Sequence, residues 1–421
     1  MKYLALPLLI SLCAAVPAQA DEADLQNQIR KLNNELQQLK AQIQATQSQT
    51  EAIAEAQEAA GTGNTNAGKE NPLSIWGYGE IGYTRPTHDS SATTMDLTRA
   101  VFGFGYRFDD KTRFMSEFEI EHAVASADDQ GEVEVEQFYV DRQLGRSTHL
   151  KAGLFLIPMG LLNETHEPNR YYGVFRNYVE TAIIPTTWRE GGAALYGSTE
   201  SGLAWDVGLT TGFNLANWDA TSTEGQESPL GSIHQELQNA KARDLSTYLA
   251  LNYRGIPGLV AGASVFTGKI SQGDATVALA NDSRATLWEG HTRWTPGNWD
   301  LSALYAKGTI SNTADLNLTL IGNPSLIPEE FWGWYTQAAY KFDLGNNQAI
   351  APFVRYTRYN TGAEYAPLPA GLEVATLPTE TVTTYGANYY LTPNVVFKAD
   401  YQHFSENSNN NRYDLGLGLA F

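Results

Sequence analysis

From residue 73 to the C-terminus the chain alternates apolar and polar positions with a period of two, in stretches of about 8 to 13 residues bounded by Gly, Pro, Asn and Asp. That period sets apolar side chains on one face of a strand and polar ones on the other. The strands expected are roughly 74–84, 96–108, 112–122, 133–143, 148–156, 190–197, 203–212, 244–254, 258–268, 284–295, 298–309, 330–342, 349–359, 380–392, 394–404 and 412–421. No convincing long helix interrupts them.

The links between these stretches alternate in length. Those at 109–111, 145–146, 255–257, 296–297, 345–347 and 392–393 are tight, whereas those near 85–95, 157–189, 213–243, 269–283, 310–329 and 360–379 are long. Short turns on one rim and long loops on the other, with about sixteen strands, predict an all-β fold: a transmembrane antiparallel β-barrel with an aqueous lumen. The faces support it. Ala100, Phe102, Phe104, Tyr106 and Phe108 share one face while Arg99 and Arg107 share the other; Phe114, Phe118 and Ile120 oppose Arg113, Glu117, Glu119 and Glu121. Likewise Glu289, His291 and Arg293 oppose Trp288, Thr292 and Trp294, and Lys398 and Asp400 oppose Phe397, Ala399 and Tyr401. A Lys or Arg facing lipid at mid-bilayer costs about 2–4 kcal/mol, so the charged face belongs in water. A soluble sandwich predicts the same alternation but not the loop asymmetry. The last strand, Tyr413 to Phe421, ends on an aromatic like the recognition signal of the outer-membrane barrel assembly machinery.

The N-terminal part follows other rules. Residues 1–20 read as a signal peptide: Lys2, an apolar run over 4–16, then Ala18-Gln19-Ala20 as a cleavage site. The one Cys, Cys13, lies within it, so the mature chain has no disulfide. Residues 21–60 carry a heptad, Leu25, Ile29, Leu32, Leu36, Leu39 and Ile43, without Gly or Pro until Gly61. That predicts a helical coiled-coil seam, the alternative being a lone amphipathic helix. Residues 61–72 form a flexible Gly/Asn/Thr linker, and 73–421 the barrel. With an even strand count both barrel ends face the periplasm, and the coiled coil lies there too, within reach of peptidoglycan.

Charge narrows the partners. The chain carries 28 Lys and Arg against 47 Asp and Glu, a formal −19. The region from residue 73 holds 23 and 39 of these, so the acidity belongs to the body and argues against nucleic acid. Lipid of an outer membrane and small solutes or ions are the expected partners. The candidate functional residues concentrate in the 157–189 connection: Asn163, Glu164, His166, Glu167, Asn169, Arg170, Arg176, Asn177, Glu180 and Arg189, set among Pro158, Gly160, Pro168, Gly173 and Pro185. Mixed charge on a loop folded into a lumen screens solutes by size and charge. The bland alternative is an external loop whose ions pair with one another.

The stretch KAGLFLIPMGLLNETHEPNRYYGVFRNYVETAIIPTTWREGG resembles the strand, inward loop and next strand of the phosphate-selective porin O and P family. The N-terminal coiled coil and the ending NRYDLGLGLAF are similar as well. The resemblance implies a homotrimeric sixteen-stranded channel in a Gram-negative outer membrane. It also implies basic residues at the eyelet, for which Arg99, Arg107, Arg113, Arg170, Arg176, Arg355 and Lys398 are the candidates. The body has only seven Lys and is acidic, which favours general diffusion over phosphate selection.

Other chemistry finds little footing. His166 with Glu164 or Glu167 lacks a recognisable metal-ligand spacing, Asp128 and Asp129 are adjacent acids of the kind usually solvated, and Glu117 with Glu119 fits a wet face better than an acid–base pair. His291 and His403 lie in strands without a Ser nucleophile motif. No metal, cofactor or enzymatic activity is expected. The expected function is passive diffusion through a barrel narrowed by 157–189, with barrel-wall Arg and Glu setting selectivity. The alternatives are an anion-selective channel, or a barrel that anchors external loops and links the membrane to the cell wall.

Overall fold

The computed structural model describes residues 71–124 and 131–421, and Pro72–Phe421 forms one compact unit. The expected signal peptide, the coiled-coil seam and Asp128 and Asp129 lie outside the described residues. The linker does too, apart from Asn71 and Pro72.

Seventeen strand segments make one closed antiparallel sheet. They are β1 (Leu73–Pro86), β2 (Thr94–Asp109), β3 (Thr112–Glu121), β4 (Val133–Gln143), β5 (Thr148–Leu156), β6 (Arg189–Ser198), β7 (Leu203–Thr210), β8 (Ser246–Tyr253) and β9 (Leu259–Lys269). Then follow β10 (Arg284–Trp294), β11 (Trp299–Ile310), β12 (Glu330–Tyr340), β13 (Phe342–Gly345), β14 (Gln348–Glu364), β15 (Glu380–Thr392), β16 (Val395–Phe404) and β17 (Arg412–Ala420). Segments β12 and β13 continue one another across Lys341 and pair with the same edge of β14, so the barrel has sixteen staves. Each neighbour in sequence is a neighbour in the sheet, and β17 returns to β1. The ring closes at the chain end, where the backbones of Phe421 and Gly77 exchange hydrogen bonds of 2.8 and 3.0 Å. The Phe421 ring covers Gly77, where a Cβ would stand 2.7 Å from it. Closure removes the unpaired edge that a sheet cannot leave in lipid.

The sixteen stretches expected from periodicity correspond to the sixteen staves. The largest departure is β14, which runs to Glu364 because Asn360 and Glu364 still pair with Trp332 and Glu330 of β12. Between β13 and β14 the two-residue turn Asn346-Asn347 has both φ angles positive, the conformation a twisted hairpin needs and Asn tolerates. Outer-face residues such as Phe102, Phe104, Tyr106 and Phe108 are exposed, while Arg99, Glu117, Glu119, Glu289, His291, Lys398 and Asp400 point inward and are buried.

That burial differs from a lining of wet charges, and its cause is the long connections. The apolar core lies inside the ring. Phe155 (β5), Tyr248 (β8), Phe266 (β9), Leu287 (β10) and Phe331 (β12) meet Ile183 and Trp188, Phe213 and Ile233, Ile270 and Val277, and Leu316 and Ile327, which come from four connections. The connections 211–245 and 311–329, expected to reach outward, therefore turn back over this half of the barrel. Leu215 N donates to Ile270 O at 2.8 Å and Trp218 Nε1 to Ser325 O at 3.4 Å.

Candidate functional site

After β5 the chain turns into the barrel and returns to the wall only at β6. The 157–188 segment is pinched at its neck, where Ile157 N donates to Trp188 O at 2.9 Å. Asn163 completes the neck: its Nδ2 donates to Ile157 O at 2.7 Å and Trp188 O at 2.8 Å, and its Oδ1 accepts from Trp188 N at 2.8 Å. A single π-helical turn, Val179–Ile183, holds Glu180. The Glu180 carboxylate accepts from Leu161 N (2.6 Å), Leu162 N (2.7 Å), Asn177 Nδ2 (2.8 Å) and the Tyr335 hydroxyl (3.0 Å).

The far part of the segment is tied to strands opposite its origin. Asn388 of β15 donates to Tyr171 O at 3.0 Å, Val174 N donates to Asp400 of β16 at 2.6 Å, and Arg355 of β14 donates to Tyr172 O at 3.1 Å. Tyr171 donates to Glu80 of β1 (2.6 Å), Tyr172 to Asp300 of β11 (3.1 Å) and Tyr178 to Gln402 of β16 (2.8 Å). Burial and the Glu80 carboxylate push the Tyr171 hydroxyl well above its ordinary value, which keeps it a donor. The segment thus crosses the interior from β5 to the β11–β17 wall. Gly173, at φ +84°, makes the turn there; a Cβ would stand 3.2 Å from both Asp400 and Phe353.

The β3–β4 wall is strongly acidic, whereas the β14–β17 wall carries both signs. Glu117, Glu119 and Glu121 of β3 and Glu134 and Glu136 of β4 face inward on one wall. Arg355, Lys398 and Arg412 belong to β14, β16 and β17, beside the buried Asp400 and Asp414 of β16 and β17, with Arg99 on β2 and Arg176 in the crossing segment. Arg99 Nε pairs with Glu80 at 2.8 Å and its Nη2 donates to His166 O at 2.6 Å. His166 presents Nδ1 to Asn163 O at 2.9 Å and Nε2 to Glu136 at 2.7 Å; its carboxylate partner is Glu136, not Glu164 or Glu167. Glu117 accepts from Trp76 at 2.6 Å and Gln137 at 2.5 Å. Arg189 bridges Glu134 (2.5 Å) and Glu236 (3.0 Å). Lys398 Nζ rests 3.5 Å from the centre of the Tyr171 ring. Burial and the nearby Arg99 lower Arg176, whose Nη1 donates to Thr187 at 3.0 Å.

The sequence-derived candidates differ in burial, with Arg176 half-buried in the crossing segment. Asn163, His166, Asn177, Glu180, Arg189, Arg99, Glu117, Glu119, Arg355 and Lys398 are buried where the segment meets the wall. Glu164, Arg170, Arg107 and Arg113 are exposed, the last donating to Asp141 at 3.3 Å; Glu167 and Asn169 are half-buried, and Asn169 donates to Pro393 O at 3.2 Å. Tyr413 and Phe421 stand exposed on the outer face. Glu136 was not anticipated. It is the extra residue of a β-bulge, where Glu117 pairs with Gln137 but Phe118 with Val135, and strict alternation does not show a bulge. Glu80, Tyr171, Tyr172 and Trp188 were also missed, although the aromatic pair beside Arg170 was a visible signal.

No family model matches the chain. A protein of Aquifex aeolicus with no characterised function is 29% identical over 360 residues, covering 83% of this chain and 80% of its own. Among solved structures, Salmonella typhi OmpF in complex with daunomycin aligns at a TM-score of 0.55 with 16% identity, over 83% of this chain and 98% of the other. A loop L8 deletion mutant of OmpT, an outer membrane protein of Vibrio cholerae, aligns at 0.50 with 12% identity, over 83% and 99%. At these identities the likeness is one of fold: the closed barrel of outer-membrane proteins.

Proposed function

We propose that this protein is an outer-membrane porin through which small hydrated solutes and ions diffuse passively, narrowed by the 157–188 segment. The observation that carries the reading is that segment's course, tied by hydrogen bonds to the inner face of strands around the ring, between an acidic β3–β4 wall and a β14–β17 wall where Arg355, Lys398 and Arg412 stand with Asp400 and Asp414. Unequal charge on the two sides of a passage creates a transverse field, which discriminates among solutes without binding any of them tightly. In this reading Glu164, Arg170, Arg107 and Arg113 meet permeating solutes, while Asn163, His166, Asn177, Glu180, Arg99 and Arg355 hold the segment in place. Outer-membrane location, insertion by the barrel assembly machinery through Tyr413 and Phe421, homotrimer formation and a periplasmic coiled coil near peptidoglycan belong to the same proposal. So does membership of the phosphate-selective porin O and P family. Phosphate selection itself is not favoured, because Arg99, Arg355 and Lys398 are covered by the crossing segment.

A second reading, a barrel that anchors its loops, draws on the apolar core that four connections build inside the ring. Single-channel recording in a planar bilayer separates the two. A porin gives stepwise conductance, and a salt gradient reads its selectivity from the reversal potential. A reversal potential that leans to cations, without block by added phosphate, supports general diffusion. Block by phosphate restores the anion-selective reading.

A further inference from the structure

The strongest unassigned feature is the outer end of the β3–β4 hairpin. Glu119 and Glu121 lie two residues apart on the inward face of β3, and Glu134 of β4 stands directly opposite Glu119. One carboxylate oxygen from each lies within 4.8 Å of the others. Clustered acids alone would mean little, since exposed ones are held apart by water. A separate fact changes this: Glu119 is 2% exposed and has neither a hydrogen bond nor an ion pair among the described residues.

A buried carboxylate without a partner, facing two others, is electrostatically costly unless something positive sits among them. The nearby bases bring charge but no bond to Glu119. Arg99 binds Glu80 and His166 O and leaves its Nη1 unpartnered, and Arg176 donates to Thr187. Arg189 is taken up by Glu134 and Glu236, and His166 by Glu136. Glu117 and Glu136 add further negative charge from the same wall. We infer that Glu119, Glu121 and Glu134 form a binding site for a hard divalent cation of the calcium or magnesium class. Such ions take carboxylate and water oxygens, and the partial exposure of Glu121 and Glu134 leaves room for water. The ion would clamp β3 to β4 beside Arg189, where the crossing segment rejoins the wall.

The test uses the full-length protein, folded in detergent and stripped with EDTA. Isothermal titration with CaCl2, and separately MgCl2, is expected to show one saturable site in the wild type. Its affinity falls at least tenfold in Glu119→Gln and is lost in Glu119→Gln/Glu134→Gln. In EDTA the Glu119→Gln barrel, its fold checked by circular dichroism, melts at or above the wild-type temperature because repulsion is relieved. Calcium then raises the melting temperature of the wild type only. Absence of saturable uptake of either ion would overturn the proposal, as would equal uptake by the variants. Wild-type melting that follows pH but ignores both ions would overturn it too, since the carboxylates would then share protons instead. Titration requires no conductance, so the result stands apart from the porin reading.

Discussion

At the scale of single residues, several of the side chains that hold the crossing segment do so by satisfying backbone groups. Asn163 serves three backbone groups at the neck. Leaving a buried polar group unpaired costs about 1–3 kcal/mol, so Asn163→Ala should loosen the segment. The measurement is limited proteolysis of the folded protein, with cleavage within 157–188 rising while the barrel core stays intact. Glu236 makes a different prediction. Burial opposes ionisation, but the His234 ring and Arg189 together hold its carboxyl below the usual 4.5. A depressed carboxyl contributes its stability in full above that value and loses it as pH falls through the lower folded one. Acidification below 4.5 should therefore release the 211–245 connection to protease, and Glu236→Gln should flatten that acid limb.

At the scale of elements, the staves were legible because successive side chains of a strand meet different surroundings, most plainly in β2 and β3, where the inner face is charged and the outer apolar. The four inward connections were less so. Their apolar residues, Phe213, Leu215, Leu230 and Ile233 among them, follow no period, and loops of this length ordinarily run over the surface. The isolated apolar residues in an otherwise polar loop were the signal. Candidate charges in 157–189 were visible as composition, but which of them face solvent depends on where the segment crosses, and the β4 bulge that places Glu136 against His166 depends on pairing. The core built by these connections is testable. Trp188 stacks on Phe213 at 5.1 Å and meets Phe266 edge-on at 4.5 Å. Truncating a buried Phe costs about 3–5 kcal/mol. Phe213→Ala should therefore raise hydrogen exchange across 211–245 and 157–188 while exchange in β1–β4 and β14–β17 is unchanged.

At the scale of the whole molecule, two kinds of order coexist. The ring is held by its closed ladder of backbone hydrogen bonds, and the interior by a soluble-type apolar core on the β5–β12 side with buried polar contacts on the other. Restricted diffusion follows if water threads the polar side, past the exposed Glu164 and Arg170. The most direct test replaces residues 165–178 by a short Gly-Ser linker and compares single-channel conductance with the wild type in the same bilayer. The account predicts stepwise conductance in the wild type and a severalfold larger step in the deletion, with weaker ion discrimination. No conductance from either protein, both shown to be folded, would contradict it.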